Sequence, residues 1–472
     1  MTQLAVIVLA AGNGSRMKSE TPKLLHPLAG IPILGHVLAT AESLAPDHLV
    51  VVLKHQKSQI VDYLGQRGGD YLIAEQGDGM GTAEAAQSGL TALPHGWSGE
   101  VLVLSGDVPL VDLGQLRRLI DLHRESNAAA TLLTAELADP SGYGRIIRNG
   151  SALVGIVEQA DANPEQALLN EVNAGCYVFD YAALDSQLHL VGSANAQRER
   201  YLTDTVRLIL QSGGSVATLL ATDSWIISGI NDRVQLSAVA VELNRRLTRA
   251  WQLAGVSIEN PDLVWIDVAA VLDSDVTLLS GTRILGNSKV GSGSVIGPDT
   301  TIQDSDIANE VHVVRSEVIQ TRVGSGAQIG PYSHLRAGTV LDSGSKVGAF
   351  VEIKNSHIGA NSKVPHLSYV GDAQVGVDCN IGAGTIFANY DGHAKHQTVL
   401  QSGVQVGSGT ILVAPVTVGA GAYSGAGALL RDDVSPGALV YSPNQQLEIA
   451  DWVRAKRPGS KAAQAAEQVK ES

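Results

Sequence analysis

A regular pattern of aliphatic positions begins at Val290 and runs through much of the second half of the chain. An aliphatic residue, often followed by glycine, recurs at every sixth position, with slips of one position after Ile353 and after Val370 and with gaps after Ile302 and Phe387. The series comprises Val290-Gly291, Ile296-Gly297, Ile302, Val323-Gly324, Ile329-Gly330, Leu335, Leu341, Val347-Gly348, Ile353, Ile358-Gly359, Val364, Val370-Gly371, Val375-Gly376, Ile381-Gly382, Phe387, Val406-Gly407, Leu412 and Val418-Gly419. This period fits neither an amphipathic helix nor one long strand, but it is typical of a hexapeptide parallel β-helix. A glycine-rich linker would not space aliphatic residues regularly, so we predict a solenoid whose ends need caps or partners.

The first part of the chain has a different pattern, in which short apolar runs alternate with longer mixed segments that can form helices. These runs are Leu4 to Ala11, Leu49 to Leu53, Val101 to Leu104 and Thr131 to Thr134. Such alternation predicts an α/β domain with a buried, mostly parallel sheet.

A helix is predicted between the two regions, because Leu236, Ala240, Leu243 and Leu247 recur at helical spacing and Gly255 can end the helix. We therefore expect an α/β domain at residues 1–232, a linker helix at 233–253, a β-helix at 254–457 and a mobile polar tail at 458–472. The six-residue period breaks between Phe387 and Val406, so a loop should protrude there and is a candidate for function.

Composition narrows the classes of function. The 472 residues include 51 glycines and only 4% aromatic residues, as expected of a repetitive fold with many tight turns. The 33 Lys and Arg against 47 Asp and Glu give a net charge of −14, which argues against nucleic acid or membrane as a partner. Cys176 and Cys379 lie too far apart for a metal motif, and the run from Leu4 to Ala11 is too short to span a membrane. We therefore expect a cytoplasmic protein.

A candidate phosphate-binding loop, Leu9 to Met17, follows the first predicted strand and contains Gly12, Gly14 and Arg16; Lys23 follows shortly after. Glycines let backbone N–H groups approach phosphate oxygens at the carboxyl end of a parallel strand, and the two cations add charge. The spacing matches neither the dinucleotide fingerprint nor the P-loop, and a tight turn without a ligand is the alternative.

A second candidate, Ser105-Gly106-Asp107, ends the run from Val101 to Leu104. A carboxylate at a strand end that faces a phosphate loop suits Mg²⁺, which prefers oxygen ligands. The alternative is that Asp107 is a turn residue or a helix cap.

With these motifs, the chain resembles the sugar-nucleotide pyrophosphorylases, and together with the six-residue repeat it resembles the bifunctional N-acetylglucosamine-1-phosphate uridyltransferase and glucosamine-1-phosphate acetyltransferase family. The resemblance covers nearly the whole chain. It rests on Leu-Ala-Ala-Gly-x-Gly-Ser-Arg-Met at 9–17, Pro22-Lys23, Gly-Asp-Val-Pro-Leu at 106–110 and Gly-Tyr-Gly-Arg at 142–145. It implies a Rossmann-like nucleotidyltransferase domain followed by a left-handed parallel β-helix, and a homotrimer.

The resemblance implies a nucleotide and sugar site in the first domain. Its expected residues are Leu9, Ala10, Ala11, Gly12, Lys23, Gln76, Gly81, Thr82, Ser105, Gly106, Asp107, Gly144, Glu158, Asn173 and Asn231, with Arg16 and Lys23 as catalytic cations and Asp107 and Asn231 as Mg²⁺ ligands. By the same resemblance, Gln76, Gly81 and Thr82 bind the uracil, and Gly144, Glu158 and Asn173 bind the N-acetylglucosamine. The implied reaction is attack of the sugar-1-phosphate oxygen on the α-phosphorus of UTP, aided by positioning and charge neutralisation. One departure concerns the base: the family usually reads Gly-Thr-Gly-His-Ala where this chain has Gly-Thr-Ala-Glu-Ala at 81–85.

A second cluster of chemical groups interrupts the small residues of the solenoid around His366 and Tyr369. A histidine at a coil corner is often only a solvated surface residue, but neighbouring coils also carry Arg336 and Lys354, and two stacked cations suit a phosphate.

The resemblance assigns His366 as the general base that takes the proton from the 2-amino group of glucosamine-1-phosphate as it attacks acetyl-CoA. The implied sugar-phosphate residues are Arg336, Lys354, Tyr369 and Asn380, and the implied acetyl-CoA residues are Ala383, Asn389, Tyr390, Ser408 and Ala426. The family's Leu-Arg-Pro-Gly is Leu-Arg-Ala-Gly at 335–338, and Pro443 replaces an arginine that some members use for the coenzyme. Trp452 either contacts the coenzyme or caps the solenoid, and Arg454 or Lys456 could replace the missing charge.

We therefore expect a cytoplasmic, Mg²⁺-dependent enzyme that acetylates glucosamine-1-phosphate and then uridylylates the product, which yields UDP-N-acetylglucosamine for the bacterial cell envelope. One alternative is a single-activity sugar-1-phosphate nucleotidyltransferase whose β-helix is structural or regulatory, in which case His366 and Lys354 would be dispensable. A non-enzymatic binding module is disfavoured by the clustered His, Lys, Arg and Tyr.

Overall fold

The computed structural model describes residues 2–55, 57–443 and 446–469. The chain forms two compact units: Met1–Lys289 with Thr301–Asp304, and Val290–Thr300 with Ser305–Ser472. Both units contain coils of the six-residue repeat, and the domain boundaries derived from the sequence stay a prediction. Residues 470–472 at the end of the predicted tail lie outside the described residues.

The first unit begins with an α/β region. Its strands are β1 (Leu4–Leu9), β2 (Pro27–Leu28), β3 (Ile31–Pro32), β4 (His48–Leu53), β5 (Leu72–Glu75), β6 (Glu100–Ser105), β7 (Ala130–Glu136), β8 (Arg145–Asn149), β9 (Ala152–Val157), β10 (Glu171–Asp180) and β11 (Val216–Leu220). Its helices are α1 (Ile33–Glu42), α2 (Lys57–Arg67), α3 (Thr82–Thr91), α4 (Leu113–Glu125), α5 (Pro164–Ala167), α6 (Tyr181–Leu188), α7 (Leu202–Gln211) and α8 (Arg233–Leu253), with 3-10 turns at Ser15–Met17, Lys23–Leu25, Ser224–Ile227 and Pro261–Leu263.

The main sheet is mixed, with the order β11-β7-β10-β6-β1-β4-β5. Strand β1 is parallel to both β4 and β6, whereas β10 is antiparallel to β6 and β7. Helices cover both faces, so that Val6 and Val8 pack with residues of α1 and α4 while Ala5 and Ile7 pack with residues of α3 and α7. This burial on both faces explains why β1 is a continuous apolar run.

The region predicted as a connecting helix is α8, which begins after the N-cap Asp232 and ends two residues before Gly255. The Asp232 side chain accepts a hydrogen bond from the backbone N–H of Gln235 at 2.8 Å, which satisfies one unpaired donor of the first turn. Gly255 has φ of +99°, a conformation that favours glycine after a helix.

The solenoid consists of short strands separated by tight turns. In chain order they are β12 (Ser257–Ile258), β13 (Trp265–Ile266), β14 (Val271–Leu272), β15 (Thr277–Leu278), β16 (Arg283–Leu285), β17 (Lys289–Val290), β18 (Val295–Ile296), β19 (Thr301–Gln303), β20 (Asp306–Ile307), β21 (His312–Val313), β22 (Glu317–Ile319), β23 (Arg322–Val323), β24 (Gln328–Ile329), β25 (His334–Leu335) and β26 (Val340–Leu341). They continue with β27 (Lys346–Ala349), β28 (Glu352–Lys354), β29 (His357–Ile358), β30 (Lys363–His366), β31 (Tyr369–Gly371), β32 (Ala373–Val375), β33 (Asn380–Ile381), β34 (Ile386–Ala388), β35 (Thr398–Leu400), β36 (Gln405–Val406), β37 (Ile411–Val413), β38 (Val416–Val418), β39 (Tyr423–Ser424), β40 (Leu429–Leu430) and β41 (Leu439–Val440).

Within the second unit these strands stack in three parallel sheets, which run from β18 to β41, from β22 to β40 and from β20 to β38. Every third strand belongs to the same sheet, so three consecutive strands complete one coil. The aliphatic residues of the repeat point inward. Val347, Ile353 and Ile358 are buried on the three sides of one coil, one residue from each sheet. The prediction of a hexapeptide parallel β-helix is therefore confirmed.

The end of the described chain carries two short helices, α9 (Trp452–Lys456) and α10 (Lys461–Gln468). The segment predicted as a polar tail, residues 458–472, thus contains α10. Among the described residues, no helix is both long and apolar enough to cross a membrane.

Candidate functional site

A cavity of about 360 Å³ lies where four parallel strands of the first unit end. Side chains that follow β1, β4, β5 and β6 all face it, because the carboxyl ends of parallel strands meet at one edge of a sheet. The predicted nucleotide-site residues that line this cavity are Leu9, Ala10, Ala11, Gly12, Lys23, Gln76, Gly81, Thr82, Ser105 and Asp107. The neighbouring Gly106 donates its backbone N–H to the carbonyl of Leu9 at 2.9 Å, which joins the two strand-end loops.

The loop after β1 closes onto Lys23. Gly14 has φ of +63°, and a Cβ atom at this position would lie 2.7 Å from Cβ of Lys23. Only glycine therefore allows this approach. Arg16, the second predicted cation, is exposed on the 3-10 turn of the same loop and is not among the described residues that line the cavity.

Lys23 brings the two predicted metal ligands together. Its ammonium group lies 2.5 Å from Oδ2 of Asp107 and 3.2 Å from Oδ1 of Asn231. A carboxylate oxygen and an amide oxygen thus converge on one cationic group, and both are ligand types that Mg²⁺ prefers. The donor set therefore fits a magnesium ion that takes its remaining ligands from phosphate and water.

The loop between Gln76 and Thr82 forms another wall of the cavity. The Gln76 amide donates to the carbonyl of Gly79 at 2.9 Å, and the Thr82 hydroxyl accepts from the backbone N–H of Leu202 at 2.9 Å. Gly81 has φ of +109°. The predicted uracil-binding pair Gly81 and Thr82 thus lies at the start of α3, with its backbone held on both sides.

The three residues predicted to bind the sugar form a neighbouring group rather than part of the described cavity lining. Oε2 of Glu158 lies 3.2 Å from the Cβ position of Gly144, and the Asn173 backbone N–H donates to the carbonyl of Gly144 at 2.8 Å. Burial raises the pKa of Glu158, although its hydrogen bond from Thr203 at 2.9 Å opposes the shift. The Asn173 amide donates to the hydroxyl of Tyr177 at 2.6 Å.

Several cavity residues were not predicted, among them Lys54, His55 and Glu199. Lys54 and His55 follow the apolar strand β4 directly, so the strand-end rule that identified Asp107 could have found them. The Lys54 ammonium donates to the carbonyl of Gly79 at 2.7 Å and so supports the loop opposite. Glu199 lies far along the chain, and no sequence signal marks it.

The second site lies on the β-helix, around the end of β31. A Cβ atom on Gly371 would lie 2.5 Å from the hydroxyl of Tyr369 and 2.7 Å from Nδ2 of Asn389, so this glycine makes room for both side chains. The carboxylate of Asp372 accepts hydrogen bonds from Asn355 at 2.6 Å and from Asn389. Burial acts to raise the pKa of the Asp372 carboxylate, but these two hydrogen bonds together outweigh burial and lower that pKa.

Lys395, in the loop predicted to protrude after Phe387, joins this group and was missing from the predicted site. The adjacent ammonium of Lys354 lowers the pKa of Lys395, by direct contact and by charge repulsion. The loop is held by the carboxylate of Asp391, which accepts from the backbone N–H of Ala394 at 2.7 Å and from the imidazole of His396. Two ammonium groups side by side favour an anion between them.

The predicted base, His366, and three of the five predicted coenzyme residues, Ala383, Ser408 and Ala426, lie on one corner of successive coils. The backbone N–H of Gly384, which follows Ala383, donates to the carbonyl of His366 at 3.2 Å. In the same way, Gly409 after Ser408 donates to the carbonyl of Ala383 at 2.7 Å, and Gly427 after Ala426 donates to the carbonyl of Ser408 at 2.8 Å. His366, Ser408 and Ala426 are exposed. The small side chains of Ala383, Ser408 and Ala426 form an open row beside the imidazole of His366, which we call the corner ladder.

The remaining predicted residues have other partners on the β-helix. Arg336 follows β25 and forms an ion pair with Glu352 of the next coil at 2.8 Å. Asn380 lies on a different sheet from Lys354 and pairs in register with Lys363. The hydroxyl of the exposed Tyr390 donates to the carbonyl of Gly392 at 2.8 Å.

The C-terminal segment was predicted to supply a charge in place of the one lost at Pro443. The guanidinium of Arg457 lies over the Trp452 ring, 5.6 Å from its centre. Arg454 forms an ion pair with Asp451 at 3.2 Å. The role of Trp452 stays a prediction.

Known proteins similar to this chain cover its whole length. The family described as MobA-like NTP transferase domain matches residues 6–169. The chain is 53% identical to the bifunctional protein GlmU of Clavibacter sepedonicus, over 98% of this chain and 94% of that protein. It is 50% identical to the bifunctional protein GlmU of Kineococcus radiotolerans, with coverage of 98% and 94%, and 48% identical to that of Mycobacterium ulcerans, with coverage of 98% and 95%.

Proposed function

The chain belongs to the GlmU family of bifunctional enzymes, and we propose that the cavity of the first unit and the corner ladder of the β-helix are its two active sites. The enzyme transfers an acetyl group from acetyl-CoA to glucosamine-1-phosphate and then a uridylyl group from UTP to N-acetylglucosamine-1-phosphate. The convergence of Lys23, Asp107 and Asn231 beside a glycine-rich loop supports the first assignment most strongly.

In the uridyl transfer, a phosphate oxygen of N-acetylglucosamine-1-phosphate forms a bond with the α-phosphorus of UTP, and pyrophosphate leaves. Lys23 and Arg16 neutralise the negative charge that gathers on the phosphates. Asp107 and Asn231 hold Mg²⁺, which supplies further charge neutralisation when bound. Gln76 and the backbone of the 79–82 loop bind the base, while Glu158 and Asn173 bind the sugar.

In the acetyl transfer, His366 removes the proton from the 2-amino group, whose nitrogen forms a bond with the thioester carbonyl carbon as the thiol of coenzyme A leaves. Lys354 and Lys395 bind the phosphate of the amino sugar, with Tyr369, Arg336 and Asn380 around it. The coenzyme lies along the ladder of small residues formed by Ala383, Ser408 and Ala426, and contacts Asn389 and Tyr390.

We further infer a homotrimer that acts in the cytoplasm. His366 and the ladder lie on an open face, and a second copy packed beside them would enclose the substrates. The exposed rings of Tyr332 and Phe350 stack at 5.2 Å beside the same coil corner, which supports a covered surface. Cytoplasmic location agrees with the two unpaired cysteines and with substrates such as UTP and acetyl-CoA.

One experiment tests this assignment of both activities. The purified chain is incubated with glucosamine-1-phosphate, acetyl-CoA, UTP and Mg²⁺, with each component omitted in turn, and the products are identified by mass spectrometry. We expect UDP-N-acetylglucosamine only in the complete mixture, and N-acetylglucosamine-1-phosphate when UTP or Mg²⁺ is omitted. A chain that uridylylates N-acetylglucosamine-1-phosphate but never acetylates would instead support the single-activity alternative.

A further inference from the structure

The loop that carries the proposed base-binding residues is held from outside the cavity by one arginine. The backbone N–H of Arg200 donates to the carbonyl of Met80 at 2.9 Å, and its own carbonyl accepts from the backbone N–H of Ala83 at 2.9 Å. A Cβ atom on Gly81 would lie only 2.3 Å from the carbonyl oxygen of Arg200. The backbones of the two segments are therefore in direct contact at the point where the base is expected to bind.

The Arg200 side chain is anchored at several points around this contact. Its guanidinium forms an ion pair with Oε2 of Glu84 at 2.5 Å and donates to Oε1 of Gln87 at 2.9 Å. The same group also donates to the carbonyls of Val191, at 3.0 Å, and Leu188. The Arg200 guanidinium thus joins helix α3 to the segment that precedes α7. The side chains of Arg200 and Glu84 are about three-quarters buried, at 22% and 24% exposure.

Glu84 makes a second contact with the loop itself. Its carboxyl carbon lies 2.6 Å from the Cβ position of Gly79, whose carbonyl accepts from both Lys54 and Gln76. Glu84 stands where the resembling family usually has histidine, and Ala83 stands where it has glycine. The buried methyl group of Ala83 and the Glu84 carboxylate therefore differ from the residues usual in the family at the start of α3.

We propose that the ion pair between Glu84 and Arg200 positions the 76–82 loop and thereby determines the affinity and the base selectivity of the nucleotide site. Neither side chain lines the cavity, so both act as positioning residues. The inference rests on the proposed function, because it takes this loop to bind the uracil of UTP. An ordered loop lowers the entropy lost when the base binds.

The test compares full-length Glu84→Gln with the wild type and with Glu42→Gln as a matched control. Glu42 forms a similar ion pair with Arg67 at 2.7 Å, with exposures of 36% and 22%, between helices that do not line the cavity. We expect Glu84→Gln to raise the KM for UTP by about 3–10-fold, as is reasonable for a partly buried charged pair. The kcat should change less than twofold, since the phosphate-binding groups are untouched, and discrimination between UTP and CTP should fall.

A double-mutant cycle with Arg200→Gln isolates the pair. We expect Glu84→Gln to have little further effect on the KM for UTP in the Arg200→Gln background. An equal effect in both backgrounds, or no effect of Glu84→Gln in the wild type, would overturn the inference. If Arg200→Gln fails to fold, the Kd for UTP, measured by calorimetry on Glu84→Gln and on Glu42→Gln, still tests the inference. Only Glu84→Gln should bind UTP more weakly than the wild type. A wild type that binds no UTP would instead overturn the proposed function.

Discussion

The ammonium group of Lys23 lies 2.5 Å from the carboxylate of Asp107, and the two side chains are 9% and 23% exposed. They come from the loops after β1 and β6, which are adjacent and parallel. The ion pair therefore places a cation and the proposed metal ligand at one point. The partial burial of both groups strengthens their attraction relative to a surface pair.

The first prediction concerns the separation of the two activities. Asp107→Ala should reduce uridyl transfer by at least about 10²-fold, the usual loss when a transition-state charge loses its stabilising group, and should leave acetyl transfer within twofold. Each activity is measured by product formation with its own substrates. Asp121→Ala, on the exposed face of α4, serves as control. An equal loss of both activities in a folded Asp107→Ala protein would contradict the two-site assignment.

The second prediction concerns the general base on the β-helix. His366→Ala should lower kcat for acetyl transfer by about 10²–10⁴-fold, the contribution typical of general-base catalysis. Uridyl transfer should be unchanged. The exposed His312 on the same solenoid provides the control variant His312→Ala. A loss below tenfold for His366→Ala would remove this imidazole from the mechanism.

The third prediction concerns Lys395, which lies beside Lys354 in the proposed sugar-phosphate site. Lys395→Met should raise the KM for glucosamine-1-phosphate by about 10-fold, since it removes a charged hydrogen-bond donor to phosphate. Because Lys354 lowers the pKa of Lys395, the wild-type KM should begin to rise at a pH below the ordinary lysine value of 10.5.

The control for this prediction is Lys346→Met, an exposed lysine on β27. The alkaline rise in KM should persist in Lys346→Met and be weaker in Lys395→Met. An identical pH profile in all three proteins would show that Lys395 does not bind the substrate.

The fourth prediction concerns the half-buried carboxylate of Glu158. Its pKa is raised above the value of 4.5 expected in an unfolded chain, so between the two values the folded state binds more protons than the unfolded state. Wild-type stability should therefore fall as pH rises through this window, by about 1.4 kcal/mol for each unit by which the pKa is raised.

Glu158→Gln does not ionise and should gain stability relative to the wild type across the same window. Urea unfolding at a series of pH values measures the difference, with the exposed Glu125→Gln as control. A difference between Glu158→Gln and wild type that is independent of pH would contradict the burial argument. The same variant should bind N-acetylglucosamine-1-phosphate more weakly.

The sequence by itself determined the two architectures and the sheet edge at which the cavity of the first unit lies. A six-residue period leaves only one way to bury every aliphatic residue, so Val347 and Ile353 had to face inward. The strand-end rule likewise brought Lys23 and Asp107 to one edge of the sheet, because parallel strands end together.

Only the tertiary structure decided which distant side chains meet. The contact of Lys395 with Lys354 depends on the path of the 389–397 loop, and the pairing of Glu84 with Arg200 depends on how α3 packs against the segment before α7. Neither contact leaves a periodic trace in the sequence, because each depends on loop path and side-chain conformation rather than on the burial pattern that repeats along a strand or helix.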